Sequence, residues 1–199
     1  MRKGSGNASA RQSHVHGGAG QVRIIGGLWR SRRINFPDHP GLRPTPDRVR
    51  ETLFNWLGQD LDGFRCLDLY AGSGALGFEA LSLGATQVTM VERDPAVVRT
   101  LENSARQLGA SGLRIVCADA LEFLKRNAAH ERYDLIFLDP PFDLGLPGPV
   151  LALLPECLAA GGRVFLESGS RQDIQPPWQV DKNSKAGRVF FQLLSRESK

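Results

Sequence analysis

Arg65-Cys66-Leu67-Asp68-Leu69-Tyr70-Ala71-Gly72-Ser73-Gly74-Ala75-Leu76-Gly77 is the stretch whose reading decides the fold. Cys66, Leu67 and Leu69 make a short apolar run around Asp68, Tyr70 to Gly74 form a glycine-rich turn, and Phe78, Leu81 and Leu83 follow at helical spacing. That order is strand, loop, helix. It brings backbone N–H groups and the positive end of a helix against a ligand, because Gly72 and Gly74 carry no Cβ.

The string Gly72-Ser73-Gly74-Ala75-Leu76-Gly77 also fits the dinucleotide fingerprint, with Glu92 placed where an acid would hold a ribose. Asp68 turns the reading elsewhere. A pyrophosphate would be repelled by a carboxylate at that end of the strand, whereas a ligand bearing an ammonium group would be drawn to it. S-adenosylmethionine has a free amino-acid group and no phosphate. The bland reading of Asp68 is a cap that bonds the backbone amides of its own loop.

Working outward, 199 residues suffice for one well-buried domain, and 41% hydrophobic with 23% charged residues is ordinary for a globular protein. The charge is uneven. Residues 1–50 hold ten Lys or Arg against Asp38 and Asp47, a net of +8, while the whole chain carries +4, so the remainder is −4. A basic arm on a mildly acidic body points to a polyanionic partner. Cys66, Cys117 and Cys157 lack metal-ligand spacing and read as buried thiols of a reducing cytoplasm. No apolar run reaches membrane-spanning length, no signal-peptide core opens the chain, and the expected location is cytoplasmic.

Residues 1–20 are rich in Gly, Ser, Ala and His and are expected to be a disordered arm; 21–199 then form one domain, with a basic extension over 21–58 and a core over 59–199. Val22 to Ile25, the Gly26-Gly27 pair and Leu28 to Phe36 predict a β-hairpin with Arg30, Arg32 and Arg33 on its second strand. Guanidinium groups in a row can grip phosphates bidentately, although edge-strand protection by charge is the alternative. Thr45 is placed as an N-cap with Pro46 at the first helical position, and Val49, Leu53, Phe54 and Leu57 form the buried stripe of the helix that follows. Arg43, Arg48 and Arg50 flank or open that helix, and Arg23 precedes it in the hairpin.

Beyond Gly77, strands are expected over 87–92, 113–118, 133–138 and 163–166, with a terminal pair over 178–185 and 188–194; helices are expected over 94–108, 120–129 and 149–159. The alternation predicts an α/β, doubly wound, mostly parallel sheet with ligands at the carboxyl ends of its strands. Asp68, Glu92, Asp119 and Asp139 recur at those ends. An amine, a ribose diol and an adenine amino group would occupy three of them, which leaves the fourth for the substrate.

Asp139-Pro140-Pro141-Phe142 is the most specific signal in the chain. Pro140 and Pro141 have no N–H, so the local carbonyls stay free to accept. Asp139 and the Pro140 carbonyl would accept the two N–H bonds of an exocyclic base amine, and Phe142 would stack on the ring. A rigid loop with Phe142 buried is the alternative.

Asp68-Leu-Tyr-Ala-Gly-Ser-Gly together with Asp139-Pro-Pro-Phe resembles the class I S-adenosylmethionine methyltransferases that act on amino nitrogens of bases. More narrowly, Val22-Arg-Ile-Ile-Gly-Gly, Leu42-Arg-Pro-Thr-Pro-Asp-Arg-Val-Arg-Glu, Leu53-Phe-Asn and Lys185-Ala-Gly look like the bacterial small-subunit ribosomal RNA guanine-N2 methyltransferase D family, over about Val22 to Arg196. The resemblance implies a Rossmann-like fold with a seven-stranded sheet and methyl transfer to the N2 amino group of one guanine of 16S ribosomal RNA, on an assembling or assembled 30S subunit. Asp68, Gly72 and Gly74 would hold the methionine part of S-adenosylmethionine, Glu92 the ribose, and Asp119 with Ala120 the adenine, with Tyr70, Ala71, Ser73 and Arg93 also counted to the cofactor site. Asp139, Pro140, Pro141 and Phe142 would hold the flipped guanine, and Arg23, Arg30, Arg32, Arg33, Arg43, Arg48 and Arg50 the RNA. No metal, covalent nucleophile or membrane is implied, and a monomer is expected. The Asp-Pro-Pro-Phe motif is shared with DNA adenine and cytosine amino methyltransferases, which is the alternative enzyme. A non-catalytic RNA-binding assembly factor and a nicotinamide dehydrogenase are the readings from other classes.

Overall fold

In the computed structural model, which describes residues 20–37, 42–141 and 148–197, the chain leaves its first core strand in two directions. An N-terminal pair, β1 (Gly20–Arg23) and β2 (Arg33–Phe36), precedes helix α1 (Asp47–Trp56). The core then runs β3 (Arg65–Asp68), α2 (Ala75–Ser82), β4 (Gln87–Glu92), α3 (Pro95–Leu108), β5 (Leu113–Cys117), α4 (Ala120–Asn127), β6 (Tyr133–Leu138), α5 (Gly148–Cys157), β7 (Leu158–Ser168), β8 (Trp178–Ala186) and β9 (Val189–Arg196). Its sheet has the order β5-β4-β3-β6-β7-β9-β8, parallel except where β9 runs against β7 and β8. From β3 the next two strands build one half, and β6 and those after it build the other. The border between β3 and β6 is therefore the point where the winding reverses and ligands bind.

The centres of β3 and β6, Cys66-Leu67 and Leu135-Ile136-Phe137-Leu138, are apolar on successive residues because helices cover both faces, as parallel sheets require. One buried cluster holds Cys66, Leu135, Phe137 and Phe165 with residues of α1, α2 and α3; another holds Leu67, Ile136, Leu138 and Leu166 with residues of α4 and α5. α2 is buried along its whole length because the N-terminal extension packs on its outer side. Gly77 of α2 permits the approach to β4: a Cβ there would meet the Met90 side chain at 2.4 Å.

The extension departs from the expected hairpin. β1 and β2 do pair antiparallel, but Gly27–Trp29 form a 3-10 turn between them, so Arg30 and Arg32 lie on the connection and only Arg33 belongs to the strand. The cause is tertiary: Trp29 is buried, its N–H donates to Ser82 Oγ at 2.9 Å, and Ser82 Oγ donates to the Gly26 carbonyl at 2.5 Å. Gly27, at φ +70°, allows this contact, since a Cβ there would strike the Ser82 carbonyl oxygen. α1 also starts otherwise than expected. Pro46 is its N-cap, and Thr45 donates to a distant strand tip rather than capping the helix. Of the expected disordered arm, residues 1–19 lie outside the described residues, whereas Gly20 opens β1. The fifth core strand is longer than its expected 163–166, because Leu158 already pairs with Tyr133. Cys117, expected to be buried, is exposed on edge strand β5; Cys66 and Cys157 are buried, which pushes both thiols up.

Candidate active site

The tips of β3 and β6 open into a cavity of about 760 Å³, a size suited to a cofactor-sized ligand. Asp68 ends β3 on the side facing α1 and α2. The turn after it is closed by Leu69 N–H donating to the Phe137 carbonyl at 3.2 Å and Ala71 N–H to the Val91 carbonyl at 3.0 Å. Gly72 at φ +50° and Gly74 at φ +77° take left-handed conformations that suit glycine, and the helix begins directly at Ala75. Tyr70, Ala71, Gly72 and Ser73 line the cavity; Gly74 caps α2 instead, packed against Phe78 and Leu101.

Asp68 is 1% exposed, and neither of its carboxylate oxygens has a hydrogen-bond partner among the described residues. The amides of Gly77 and Tyr70 favour its charged form without making a hydrogen bond of ordinary geometry. Burial, then the neighbouring charges of Asp139 and Glu92, outweigh them and push the carboxyl up to about 7. The cap reading of Asp68 thus has the Tyr70 and Gly77 amides near the carboxyl but no hydrogen bond of ordinary geometry to it. A buried acid without a partner is a cost that a cationic ligand would offset.

Glu92 ends β4 and braces the loop, accepting from Gly72 N–H at 3.0 Å and Asp94 N–H at 2.9 Å. Each oxygen keeps a lone pair for a hydroxyl. Asp119 caps α4 as its sequence position allows, with Oδ1 accepting from Leu121 and Glu122 N–H groups; Ala120 is buried beside it, and exposed Arg93 lines the same wall. Asp94 caps α3 through Ala96 N–H at 2.7 Å.

Across the border, half-buried Asp139 follows β6 and accepts from Thr45 Oγ1 at 3.0 Å through Oδ2. Burial pushes it up to about 7, with the Thr45 bond pulling the other way. Pro140 and Pro141 line the cavity, and Phe142 lies outside the described residues. Phe54 of α1 meets Phe137 edge-on at 6.2 Å, which presses α1 onto β6 and delivers Thr45 to the site.

The arginines divide. Arg43 is exposed and lines the cavity, while Arg23, Arg30, Arg32, Arg33 and Arg48 are exposed outside it. Arg32 donates to the Gln107 carbonyl at 2.5 Å, and Arg33 to Gln21 Oε1 at 3.3 Å. Arg50 corrects the sequence expectation. Its side chain is 0% exposed and ion-paired at 2.6 Å with Glu79, so it cannot meet RNA. Two residues missed in the sequence reading belong to the site: Thr45, whose bond to Asp139 spans 94 positions, and Glu167 at the tip of β7.

This set of acceptors fits a ligand with a positive charge and hydroxyl groups on the β3–β5 side and a donor-rich planar group on the β6–β7 side. A phosphate placed beside Asp68 and Glu92 would be repelled by their carboxyl groups, whereas Arg43, Arg93 and Arg188 line other parts of the cavity.

The family model described as conserved hypothetical protein 95 matches residues 22–195. Ribosomal RNA small subunit methyltransferase D of Escherichia coli K12 is 42% identical over 92% of this chain and 94% of its own. The Haemophilus influenzae protein of the same name is 39% identical over 87% of this chain and 93% of its own. The solved structure of the Escherichia coli protein yhhF superposes with a TM-score of 0.80 at 41% identity, covering 90% of this chain and all of that one.

Proposed function

Because the chain belongs to the small-subunit ribosomal RNA methyltransferase D family, we propose that it moves a methyl group from S-adenosylmethionine to the N2 amine of one guanine of 16S ribosomal RNA. One observation carries the reading: Asp68 and Asp139, on neighbouring strand tips at the winding reversal, face one cavity from either side of the β3–β6 border. Asp68 takes the cofactor's amino group, Glu92 its ribose and Asp119 its adenine. Held by these residues, S-adenosylmethionine would supply an electrophilic sulfonium methyl group for the N2 lone pair, with a neutral thioether as its leaving group. Asp139 Oδ1 and the Pro140 carbonyl accept the two N2 hydrogens and so aim that lone pair. Thr45 holds Asp139 in place through Oδ2. The surplus proton of the methylated amine passes to Asp139 and on to water. Positioning supplies most of the acceleration, and neither a metal nor a covalent nucleophile takes part.

The substrate is an assembling or assembled 30S subunit, the protein acts as a monomer, and its place is the cytoplasm. No helix among the described residues is long and apolar enough to cross a membrane. Incubation with labelled cofactor and unmodified small subunits, followed by mapping of the methylated base, tests the reading. The label is expected on N2 of a single guanine, and transfer to duplex DNA alone would overturn it.

Two further outcomes are expected. Asp68→Asn lowers S-adenosylmethionine affinity on the order of a hundredfold by calorimetry, since a charge-assisted bond to the ammonium is lost. The same variant stabilises the free protein. The folded carboxyl titrates near 7 against an unfolded value near 3.8, so its contribution is full below about pH 4 and is lost as pH rises through 7. The gain of the asparagine variant should grow from nothing at pH 4 to roughly 2 kcal/mol or more at pH 8, read by urea unfolding. Replacing Arg30, Arg32 and Arg33 together by Ala should weaken subunit binding and reduce the slope of log K against log salt by roughly 2, if each meets one phosphate. An unchanged slope would make them bystanders.

A further inference from the structure

β7 runs parallel to β6 in a register that pairs Phe137 with Phe165 and Leu138 with Leu166. One residue further, Asp139 and Glu167 stand side by side at the strand tips. Alternation along the strands puts them on the face that carries Phe137 and Phe165, which is also the face of Asp68. Glu167 lies on the far side of Asp139 from the cofactor wall and lines the same cavity. It is 3% exposed, and Oε2 has no hydrogen-bond partner among the described residues. A buried carboxylate oxygen left without a partner at the edge of a site calls for one, and a bound ligand can supply it.

From this placement we propose that Glu167 reads the target base, accepting the N1–H of the guanine whose N2 amine is held by Asp139 and Pro140. The inference rests on the proposed function and adds the residue that selects guanine. On the guanine ring, C2 and its amine are flanked by N1–H, a donor, and N3, an acceptor. A carboxylate beside the amine repels N3 and attracts N1–H, which fixes the orientation of the ring as well as its identity. Adenine and cytosine present an acceptor next to their amine and would place a lone pair against Glu167. Burial and the charge of Asp139 push Glu167 up to about 9 in the free protein. The N–H donor and the cationic cofactor favour its ionised form once both are bound.

The test uses small subunits reconstituted with 16S RNA that carries, at the nucleotide methylated by the wild-type enzyme, either guanine or 2,6-diaminopurine. The second base keeps the C2 amine but turns N1 into an acceptor. Wild-type enzyme is expected to prefer guanine in kcat/KM, and the preference should grow as pH rises toward 9, because an ionised Glu167 faces the lone pair of the wrong base whereas a protonated one can donate to it. In Glu167→Gln the side-chain amide can rotate to donate to N1, and the preference should shrink to within about threefold while cofactor binding stays unchanged. Glu167→Met, which can neither accept nor donate, should lower guanine methylation on the order of a hundredfold. Wild-type enzyme that methylates both subunits alike, or a Gln variant that keeps the wild-type preference, would overturn the role of Glu167 and leave the methyl-transfer reading standing. Absence of transfer from the wild-type enzyme to guanine subunits would overturn both. A wild-type preference that stays flat between pH 7 and 9 would overturn the role even if neither variant can be prepared.

Discussion

Asp139→Ala is expected to lower methyl transfer to unmodified small subunits at least about a thousandfold, with S-adenosylmethionine affinity by calorimetry within about threefold of wild type. The magnitude combines two losses. An acceptor that aims the amine is removed, a kind of preorganised contact worth about a hundredfold to a thousandfold, and the group that receives the surplus proton goes with it. Cofactor affinity survives because Asp68 and Glu92 end β3 and β4 and Asp119 lies between β5 and α4, all three after strands to one side of β6. Asp139→Asn separates the losses: an amide oxygen can still accept one N–H but cannot take the proton, so an intermediate rate is expected. Thr45→Val should cost about tenfold in kcat by freeing the carboxylate that its 3.0 Å bond holds. The pH profile adds a sign. Asp139 must be ionised to act, and burial places it near 7 in the free protein, so turnover should rise with pH to a plateau, with a midpoint at or below about 7 once the cationic cofactor is bound. The asparagine variant should lose the part of that limb that Asp139 contributes and keep what Asp68 and Glu167 contribute. Unchanged turnover in Asp139→Ala would refute the assignment outright.

What could be read in the sequence was what local chemistry determines. The loop from Tyr70 to Gly74 announces itself through glycines that are needed where they stand, and Asp94 and Asp119 cap helices that begin one residue later. The tips of β3 and β6 were visible because an acid interrupts an apolar run. The same rule reaches Glu167, which follows Val164-Phe165-Leu166, but no motif surrounds it and only the pairing of β6 with β7 brings it beside Asp139. Thr45 shows the opposite failure. Its position before Pro46 fits a helix cap, and a tertiary partner claimed its hydroxyl instead. In the extension, alternation and glycines predicted one long second strand, whereas burial of Trp29 against α2 bent that segment into a 3-10 turn. Contacts that span tens of positions leave no trace in periodicity.

Arg50 is the sharpest of these cases and carries the largest expected effect on stability. In sequence it is one of a run of arginines beside a polyanion-binding candidate; in the fold it is a cation enclosed between the extension and the core. Its guanidinium donates to Glu79 Oε2 and to Asp47 Oδ1 at 2.6 Å, to the Arg23 carbonyl at 2.9 Å and to the Thr45 carbonyl at 3.2 Å. Glu79, 1% exposed, also accepts from the N–H groups of Ile25 and Gly26. One buried pair thus fastens β1, the segment after it and α1 to α2. Arg50→Ala leaves Glu79 buried without its counter-charge and should cost about 3–5 kcal/mol by urea unfolding. Arg50→Lys should recover little, because an ammonium cannot serve four acceptors at these separate positions. Arg50→Met combined with Glu79→Met removes both charges and should cost clearly less than the sum of the single changes, whereas strict additivity would mean that the two residues act independently. The double variant also tests the link to catalysis. It keeps Phe54 against Phe137 but loses the bond from Arg50 to the Thr45 carbonyl, so kcat should fall while S-adenosylmethionine affinity holds, as expected if this arginine serves the reaction only by holding Thr45 over Asp139.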